Sequence, residues 1–449
     1  MKSGEGRRLY LGVAGVVVSR VGGVLAALLL NLAMARLMGP DEMGLALMAM
    51  SAASVGAVIA AGGLEGGAVR FLPAYLGTGR EAAARAYLHL TGSGVWMIGA
   101  AVALVAGIAA AVRPDAVSAV PALALAGAVL LAVVRVQASH CLGFGRPVAA
   151  NLPVQLLRPG FLMIAVIVAG VLAPPLTPER VMALFVLTLA MVMVVQAWLA
   201  SGARRKLPRG THDWSGVREW FAVGLQLGLA GLFIGFGRDI AILCAGTVLP
   251  PEDVARLGVA LRIAGFVKFG MIAVNQAFMP RLSAAMARGD RPAIDHAITL
   301  SNHLKFWPMM AAIIVIHLFS ARIMAVFGAD FVAAAPVLSV LLLEPAAAAI
   351  LGPGSSVVSF GRQKHLVLMV AVAATGVLAV GVVTGGHVAG LPGAAWGVVV
   401  AWVFWSAAFA ILARTELGRG VTIVATLRTG LRRTPSAAVV AGIGTESRS

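Results

Sequence analysis

The chain is a succession of apolar stretches, each about 20 residues long, separated by short polar connections. A helix rises about 1.5 Å per residue, so about 20 apolar residues cross the ~30 Å hydrocarbon core of a bilayer. Apolar residues make up 60% of the chain and charged residues only 12%. Soluble domains are about half apolar and a quarter charged. A chain of this composition cannot bury its apolar surface in the core of a water-soluble domain. The sequence therefore predicts a polytopic all-α membrane protein.

About twelve apolar stretches are long enough to be membrane spans. The predicted spans cover residues 10–36, 43–63, 86–112, 117–139, 148–172, 178–200, 219–245, 254–278, 303–325, 331–356, 365–384 and 391–413. Lysine and arginine are concentrated in every second loop, and the positive-inside rule places those loops and both termini in the cytoplasm. The net charge of +17 is spread over these loops and forms no contiguous basic domain, which argues against a nucleic-acid partner.

Short sequence matches recur roughly 210 residues apart, in the same order and in equivalent loops. Gly44 matches Gly258, Pro73 matches Pro280, and FGRP at 144–147 recurs as FGRQ at 360–363. The separation covers six spans, so both copies enter the membrane in the same direction, as in a parallel repeat. The predicted parts are an N-terminal half (1–200), a basic cytoplasmic linker (201–218), a C-terminal half (219–414) and a cytoplasmic tail (415–449).

Several charged residues lie inside the predicted spans, where each costs on the order of 2.5–3.5 kcal/mol. They are Arg20, Arg158, Arg238, Asp239, Arg262, Lys268 and Glu344. Such residues usually face a water-filled interior and mark a substrate or ion path. Cations outnumber acids in this set, and arginine is well shaped for phosphate, so the sequence favours an anionic substrate.

Structural roles are the alternative for some of these charges. Arg238 could pair with a neighbouring carboxylate or cap its helix, while Arg135 and Arg262 could snorkel to an interface. Glu344 is either a proton-coupling group or the partner of Lys268 or Arg262. No Walker loop, HExxH motif or cysteine cluster is present, so we expect no catalytic residue, metal or cofactor and no ATPase activity. The predicted outer loops are short, which argues against a glycan polymerase or ligase.

Four segments resemble the polysaccharide flippases of the multidrug/oligosaccharidyl-lipid/polysaccharide (MOP) exporter superfamily. They are ARLMGPDEMGLALMAMS (35–51), GRDIAILCAG (237–246), AFMPRLSAAMARGD (277–290) and VFGADFVAAAPVLSVLLL (326–343). The resemblance covers roughly residues 8–415 and implies two six-helix bundles around a central cavity that work by alternating access. The implied cargo is an oligosaccharide or repeat unit on a polyprenyl diphosphate, in the bacterial inner membrane. The implied partners are this lipid-linked glycan, membrane lipids, a polysaccharide polymerase and glycosyltransferases.

SRVGG (19–23) is similar to the stretch of the lipid II flippases that places an arginine in the cavity. The resemblance makes Arg20 the first expected diphosphate contact and Arg262 the second, with Arg158 and Lys268 as further contacts. Asp239, Arg238 and Glu344 remain for ion coupling or charge pairing. The chain lacks the two additional C-terminal spans of the lipid II branch, and Ala27 stands where that branch has an aspartate. A peptidoglycan precursor is therefore the less expected cargo.

Two other transporter classes compete with a flippase. A multidrug cation antiporter of the same superfamily should place carboxylates in its cavity, which the excess of cations argues against. A sugar or metabolite carrier of the major facilitator class should carry a basic loop motif between spans two and three, and the chain has none there. The flippase is the leading hypothesis.

Overall fold

The structure is a computed structural model that describes residues 3–112, 119–204, 207, 210–360 and 366–430, and every regular element in these ranges is helical. The first elements are α1 (Ser3–Met38), α2 (Pro40–Ala60), a 3-10 turn (Leu64–Gly67), α3 (Ala68–Gly77), α4 (Glu81–Val112) and α5 (Ala119–Gly143). Next come α6 (Pro147–Asn151), a π-helical turn (Leu152–Leu157), α7 (Arg158–Leu172), α8 (Pro178–Arg204), α9 (Val217–Ala245) and α10 (Pro251–Val267). The remaining elements are α11 (Phe269–Arg288), α12 (Arg291–Leu318), α13 (Ser320–Phe327), a 3-10 turn (Ala329–Ala334), α14 (Ala335–Leu341), α15 (Leu343–Leu351), α16 (Gly354–Phe360), α17 (Leu366–Leu417) and α18 (Ile423–Gly430).

The helices have the length and apolarity of membrane spans. Among the described residues, 8 helices are long and apolar enough to cross a bilayer, and α12 with α13, bent by 69°, makes a ninth candidate. The predicted all-α polytopic class is confirmed. The predicted span 86–112 lies within α4. The predicted span 254–278 is not one continuous helix, because α10 and α11 meet at Lys268.

Helix α17 covers two of the predicted spans, 365–384 from residue 366 onward and 391–413. Its 52 residues would measure about 78 Å as a straight helix, far more than the ~30 Å hydrocarbon core. The helical backbone breaks at Ala389 (φ −135°, ψ 19°) and Gly390 (φ 59°, ψ −142°). The positive φ at Gly390 is a conformation that glycine adopts without a steric penalty.

Paired glycines hold the two parts of α17 together. A Cβ atom added at Gly393 would meet the backbone of Gly385, and one added at Gly397 would meet the backbone of Gly381. From the first contact to the second, the residue number falls from 385 to 381 in one helix and rises from 393 to 397 in the other. This is the pattern of two antiparallel helices. Small residues allow this close backbone approach between helices in a membrane. α17 is therefore a hairpin of two spans, as the sequence predicts.

The chain divides into two compact units. Unit 1 contains Met1–Phe266, Phe319–Leu341 and Ala371–Ala401, and unit 2 contains Val267–Leu318, Leu342–Val370 and Trp402–Ser449. The predicted division into halves 1–200 and 219–414, with a linker at 201–218 and a tail from 415, concerns an internal repeat and stays a prediction. In unit 2, the side-chain amide of Asn302 on α12 donates to the carbonyl of Val421 (2.8 Å), which fixes the start of α18.

In unit 1, a buried aromatic cluster joins α3, α4 and α9. The Trp220 indole N–H donates to the Tyr75 hydroxyl at 2.8 Å, and the Tyr87 hydroxyl donates to the carbonyl of Leu64. Phe71 packs between the two tyrosines, with ring centroids 6.0 Å and 5.6 Å away. Burying these large rings stabilises the ends of three helices, and the polar groups of Trp220, Tyr75 and Tyr87 each take part in a hydrogen bond.

The described part of the predicted linker docks on the start of α4. Arg80 forms an ion pair with Asp213 at 3.3 Å, and the Arg85 guanidinium donates to the carbonyl of Thr211 at 3.0 Å. The Asp213 amide also donates to the carbonyl of Ala82 at 3.1 Å. Hydrogen bonds from Ser215, and then the charge of Arg80, lower the pKa of the Asp213 carboxyl below its ordinary value of 3.8. Asp213 therefore stays ionised, and its ion pair with Arg80 persists, until the pH falls below that value.

Candidate functional site

A cavity of about 380 Å³ lies within unit 1, between α1, α2, α5, the π-helical turn, α7, α8, α9 and α10. Its volume is in the range of about 300–1,000 Å³ that is usual for small-molecule sites. The charged and amide side chains that line it are Arg135, Arg158, Arg238, Arg262, Asp239, Asn31 and Gln155. Four of the seven sequence-predicted site residues are therefore brought together here.

Helix α1 presents one face to this cavity. Gly23, Ala27, Leu30 and Met34 line it, at the three- and four-residue spacing of one helix face. Arg20 precedes Gly23 by three residues and so begins the same face, one turn nearer the N-terminus. It is not among the residues that line the cavity. Its predicted contact with a diphosphate stays a prediction.

The π-helical turn places Arg158 at the cavity wall. Pro159 has no amide hydrogen, so the carbonyl of Gln155, four residues earlier, lacks its helical donor. That carbonyl faces Gly23 on α1, where an added Cβ atom would collide with it. The proline and the glycine together allow α1 to approach the distorted turn. Such π-helical distortions are frequent at functional sites.

Arg158, Arg238 and Arg262 line this cavity together with a single carboxylate, Asp239. Asp239 is within electrostatic range of all three arginines. In the part of the chain that the structure describes, none of the three arginines forms an ion pair within 4.0 Å. The buried Nε of Arg262 also lacks a hydrogen-bond partner. Three positive charges against one negative charge leave this group at +2, with guanidinium donors available to a ligand.

Arg135, the fourth arginine of the cavity, is neutralised by Glu65. Its Nε donates to the Glu65 carboxylate at 2.8 Å, and its guanidinium lies 4.6 Å from the centroid of the Phe236 ring. Arg135 therefore pairs inside the protein and does not snorkel to an interface. Glu65 was not predicted from the sequence; it lies on the 3-10 turn between two glycine pairs at the end of a predicted span. An acid in that position is the only sequence signal for this pair.

Lys268 and Glu344 lie in unit 2, where they form an ion pair with each other. Glu344 is buried, with only 5% of its side chain exposed, and the Lys268 ammonium lies 3.8 Å from the centroid of the Trp402 ring. The structure thus selects Lys268 from the two partners that the sequence left open for Glu344. The role of Lys268 as a diphosphate contact stays a prediction.

A second cavity in unit 1, of about 310 Å³, lies between α4 and α5. His89, Ser93 and Gln137 are its polar lining residues, and no acid or permanent cation reaches it. Of these two cavities in unit 1, only the first is lined by arginine or acidic side chains. Among the described residues, no three His, Cys, Asp or Glu side chains come together as a metal site would require.

Neither a protein-family model nor a curated protein sequence matches this chain. Solved structures do match it. The inward-facing conformation of a multidrug resistance MATE family transporter of the MOP superfamily matches with a TM-score of 0.71 and 15% identity, over 91% of this chain and 98% of that one. The outward-facing conformation of a MATE family transporter of the MOP superfamily gives a TM-score of 0.62 and 15% identity, over 91% and 95%. A MOP superfamily transporter from Pyrococcus furiosus, described by the reverse polarity of its binding pocket, gives 0.52 and 16%, over 94% of each chain.

These matches confirm the predicted fold class. The chain is a multi-pass membrane protein with the helical-bundle fold of MATE transporters of the MOP superfamily. At 15–16% identity the likeness concerns the fold alone, so the matches do not distinguish a flippase from an antiporter.

Proposed function

We propose that this chain is a flippase that moves a polyprenyl-diphosphate-linked oligosaccharide or repeat unit across the bacterial inner membrane by alternating access. The observation that carries the proposal is the cluster of Arg158, Arg238 and Arg262 around Asp239 in the cavity of unit 1. A group with a charge of +2 is suited to the two negative charges of a diphosphate diester. The proposed orientation has both termini in the cytoplasm, in line with the basic loops.

The hydrogen-bonding capacity of the cluster also supports an anionic cargo. Each guanidinium carries five N–H donors and no acceptor, so a cation cannot satisfy it, whereas phosphate oxygens can. The Nε of Arg262 is already buried without a partner. A bound phosphate would supply the missing acceptor and neutralise the charge that is costly inside a membrane. The cavity is therefore suited to bind an anion.

The size of the cavity limits how much of the cargo it can hold. About 380 Å³ suits a diphosphate with its first sugar, and a whole repeat unit does not fit. The remaining sugars and the polyprenyl chain would have to lie outside the cavity. We therefore propose that the headgroup is the part that is recognised, which leaves glycan specificity to the rest of the transport path.

A multidrug cation antiporter is the second candidate, because Asp239 places one carboxylate in the cavity and the structural matches include MATE multidrug transporters. For the P. furiosus transporter, the reverse polarity of the binding pocket suggests a different function. Polarity also separates the two candidates here, since three arginines next to the carboxylate would repel a cationic drug. Asp239→Asn should therefore improve flipping and abolish antiport.

The test uses cells in which the gene is deleted and replaced by variants expressed at equal membrane levels. Deletion should accumulate polyprenyl-diphosphate glycan on the cytoplasmic side. Arg262→Gln and Arg238→Gln should restore transport at least about tenfold less well than wild type, the size expected for losing a charged hydrogen bond. Arg218→Gln is the matched control, because Arg218 is exposed in the first turn of α9, the helix that carries Arg238.

Two results would decide against the flippase. An unchanged lipid-linked glycan pool after deletion, together with greater sensitivity to cationic drugs, would establish the antiporter in its place. Equal activity of Arg262→Gln, Arg238→Gln and Arg218→Gln in glycan transport would show that the cluster does not bind the cargo.

A further inference from the structure

Lys268, Glu344 and Trp402 form a charged triad within unit 2. The ammonium of Lys268 contacts the Glu344 carboxylate and lies 3.8 Å from the centroid of the Trp402 ring. Each residue comes from a different chain segment of unit 2. The triad therefore links three stretches of unit 2 that are far apart in the sequence.

Two of the three residues lie at interruptions of a helix. The backbone at Lys268 has φ −69° and ψ −13°, and that at Leu342, two residues before Glu344, has φ −66° and ψ −17°. Both ψ values depart by about 25–30° from the ordinary α-helical value near −42°. Pro345 explains the second interruption, because it cannot donate to the carbonyl four residues earlier. Discontinuous helices are where carriers hold their coupling ions.

We propose that the ammonium of Lys268 is a built-in cation, which occupies a monovalent-cation site formed by the Glu344 carboxylate and the face of the Trp402 ring. A carboxylate buried in a membrane protein needs a counter-charge, and the face of an indole ring attracts a cation. A free Na⁺ could serve this site, but the tethered ammonium outcompetes it through its high effective concentration. This inference goes beyond the proposed function and holds for any cargo of the cavity in unit 1.

The lysine side chain is suited to this role. Its ammonium is a compact charge on a flexible four-carbon stem, which resembles a small inorganic cation more closely than a planar guanidinium does. One quarter of the Lys268 side chain is exposed (25%), against 5% for Glu344. The buried carboxylate is thus the ligand of the site, and the lysine ammonium is the cation that occupies it. Removing the lysine side chain should leave a site that a free cation can enter.

The test measures binding of ²²Na⁺ to the purified full-length protein, with choline chloride as the background salt. Wild type and Lys268→Arg should bind no saturable Na⁺. Lys268→Met should gain about one Na⁺ site per chain, because the emptied site retains one carboxylate. The double variant Lys268→Met/Glu344→Gln should lose this Na⁺ site again. Arg281→Gln is the control for lost charge, because Arg281 is exposed on α11, the helix that follows Lys268.

Each remaining outcome would overturn the proposal. One is saturable Na⁺ binding by wild type that disappears in Glu344→Gln, since the site would then be open to free ions. Another is a folded Lys268→Met protein that binds no Na⁺. A third is a Lys268→Met protein that is not monodisperse even in NaCl, because free Na⁺ should supply the missing charge. None of these results depends on glycan transport, so the proposed flippase function stands or fails separately.

Discussion

The arginines that line the cavity of unit 1 differ in their surroundings. Arg135 donates to Glu65 at 2.8 Å and stacks on Phe236, so its charge is used within the protein. Arg158 and Arg262 have no such partner among the described residues and share the electrostatic influence of Asp239. Desolvating an arginine is costly in either case, but only the second arrangement leaves donors for a ligand. The distinction depends on neighbours, and residue type alone does not reveal it.

The Arg135–Glu65 pair should be structural. Glu65→Gln leaves the guanidinium partly buried without its counter-charge, and we expect a loss of about 3 kcal/mol in the free energy of unfolding. Replacing both residues, as in Arg135→Met/Glu65→Met, should cost less than Glu65→Gln alone, because no charge is then left unpaired. Thermal unfolding in detergent, arranged as a double-mutant cycle, measures the coupling. A coupling energy near zero would contradict the pairing.

The sequence revealed some site residues because charges are conspicuous in apolar spans. Arg158, Arg238, Asp239 and Arg262 were found in this way, and the structure brings them to one cavity. Glu65 was missed because it lies at the end of a span, where an acid is unremarkable. The partner of Glu344 was left open because Lys268 is 76 residues away in the chain, and only the fold decides such a contact.

At the scale of elements, the glycines of α17 should determine whether its two helices can pack. Gly393→Leu would place a large side chain against the backbone of Gly385, and overpacking of this kind costs about 1–3 kcal/mol or more. Gly376→Leu is the matched control, since an added Cβ atom there meets nothing within 4 Å. We expect Gly393→Leu, but not Gly376→Leu, to lower the melting temperature and the amount of protein in the membrane. Equal behaviour of the two variants would exclude the glycine contact.

The docked part of the linker (210–216) should be protected from proteolysis. Arg80→Gln removes the ion pair with Asp213, so chymotrypsin, which cleaves after Trp214, should cut this segment several-fold faster in inside-out vesicles. Arg70→Gln removes another exposed ion pair, with Glu219, that does not involve residues 210–216, and it should leave cleavage unchanged. High salt should reduce the difference in cleavage rate between wild type and Arg80→Gln, because it screens exposed ion pairs. Cleavage only from the outer side would contradict the cytoplasmic placement of the linker.

The elements were predicted unequally well from the sequence. The two spans of α17 were separable because a Gly-Leu-Pro-Gly stretch interrupts the apolar run there. The span at 254–278 was predicted as continuous, but the structure divides it at Lys268. Hydropathy measures only how favourably a segment partitions into the bilayer. It does not detect a change in the backbone ψ angle at one residue. A charged residue within an apolar run was the available signal for an interruption.

For the whole molecule, the proposed function predicts a dependence on the membrane potential. The cluster in unit 1 is at +2 when empty and near neutral with a bound diphosphate, so the potential acts mainly on the empty carrier. The energy available is up to about 2.3 kcal/mol per charge for each 100 mV. Turnover in proteoliposomes should fall when valinomycin and K⁺ dissipate the potential. It should not respond to nigericin or to removal of Na⁺. A requirement for a proton gradient would contradict this charge balance.

The class of the molecule was predictable from the sequence, but its cargo was not. Periodic apolar stretches dictate a helical membrane protein, because the bilayer requires every backbone polar group to be satisfied within the protein. The MOP fold is reached by sequences with 15–16% identity to this chain, so many apolar residues can replace one another in it. Cargo selection instead depends on a few charges whose neighbours come from distant parts of the chain.

The hairpin of α17 also has a consequence for biosynthesis. Its two helices are joined at Ala389 and Gly390, with no polar loop between them. We therefore expect the two helices to insert as a pair, since there is no hydrophilic loop to translocate between them. Both should leave the translocon together as a single inserted unit. The last span then runs antiparallel to the helix that precedes it.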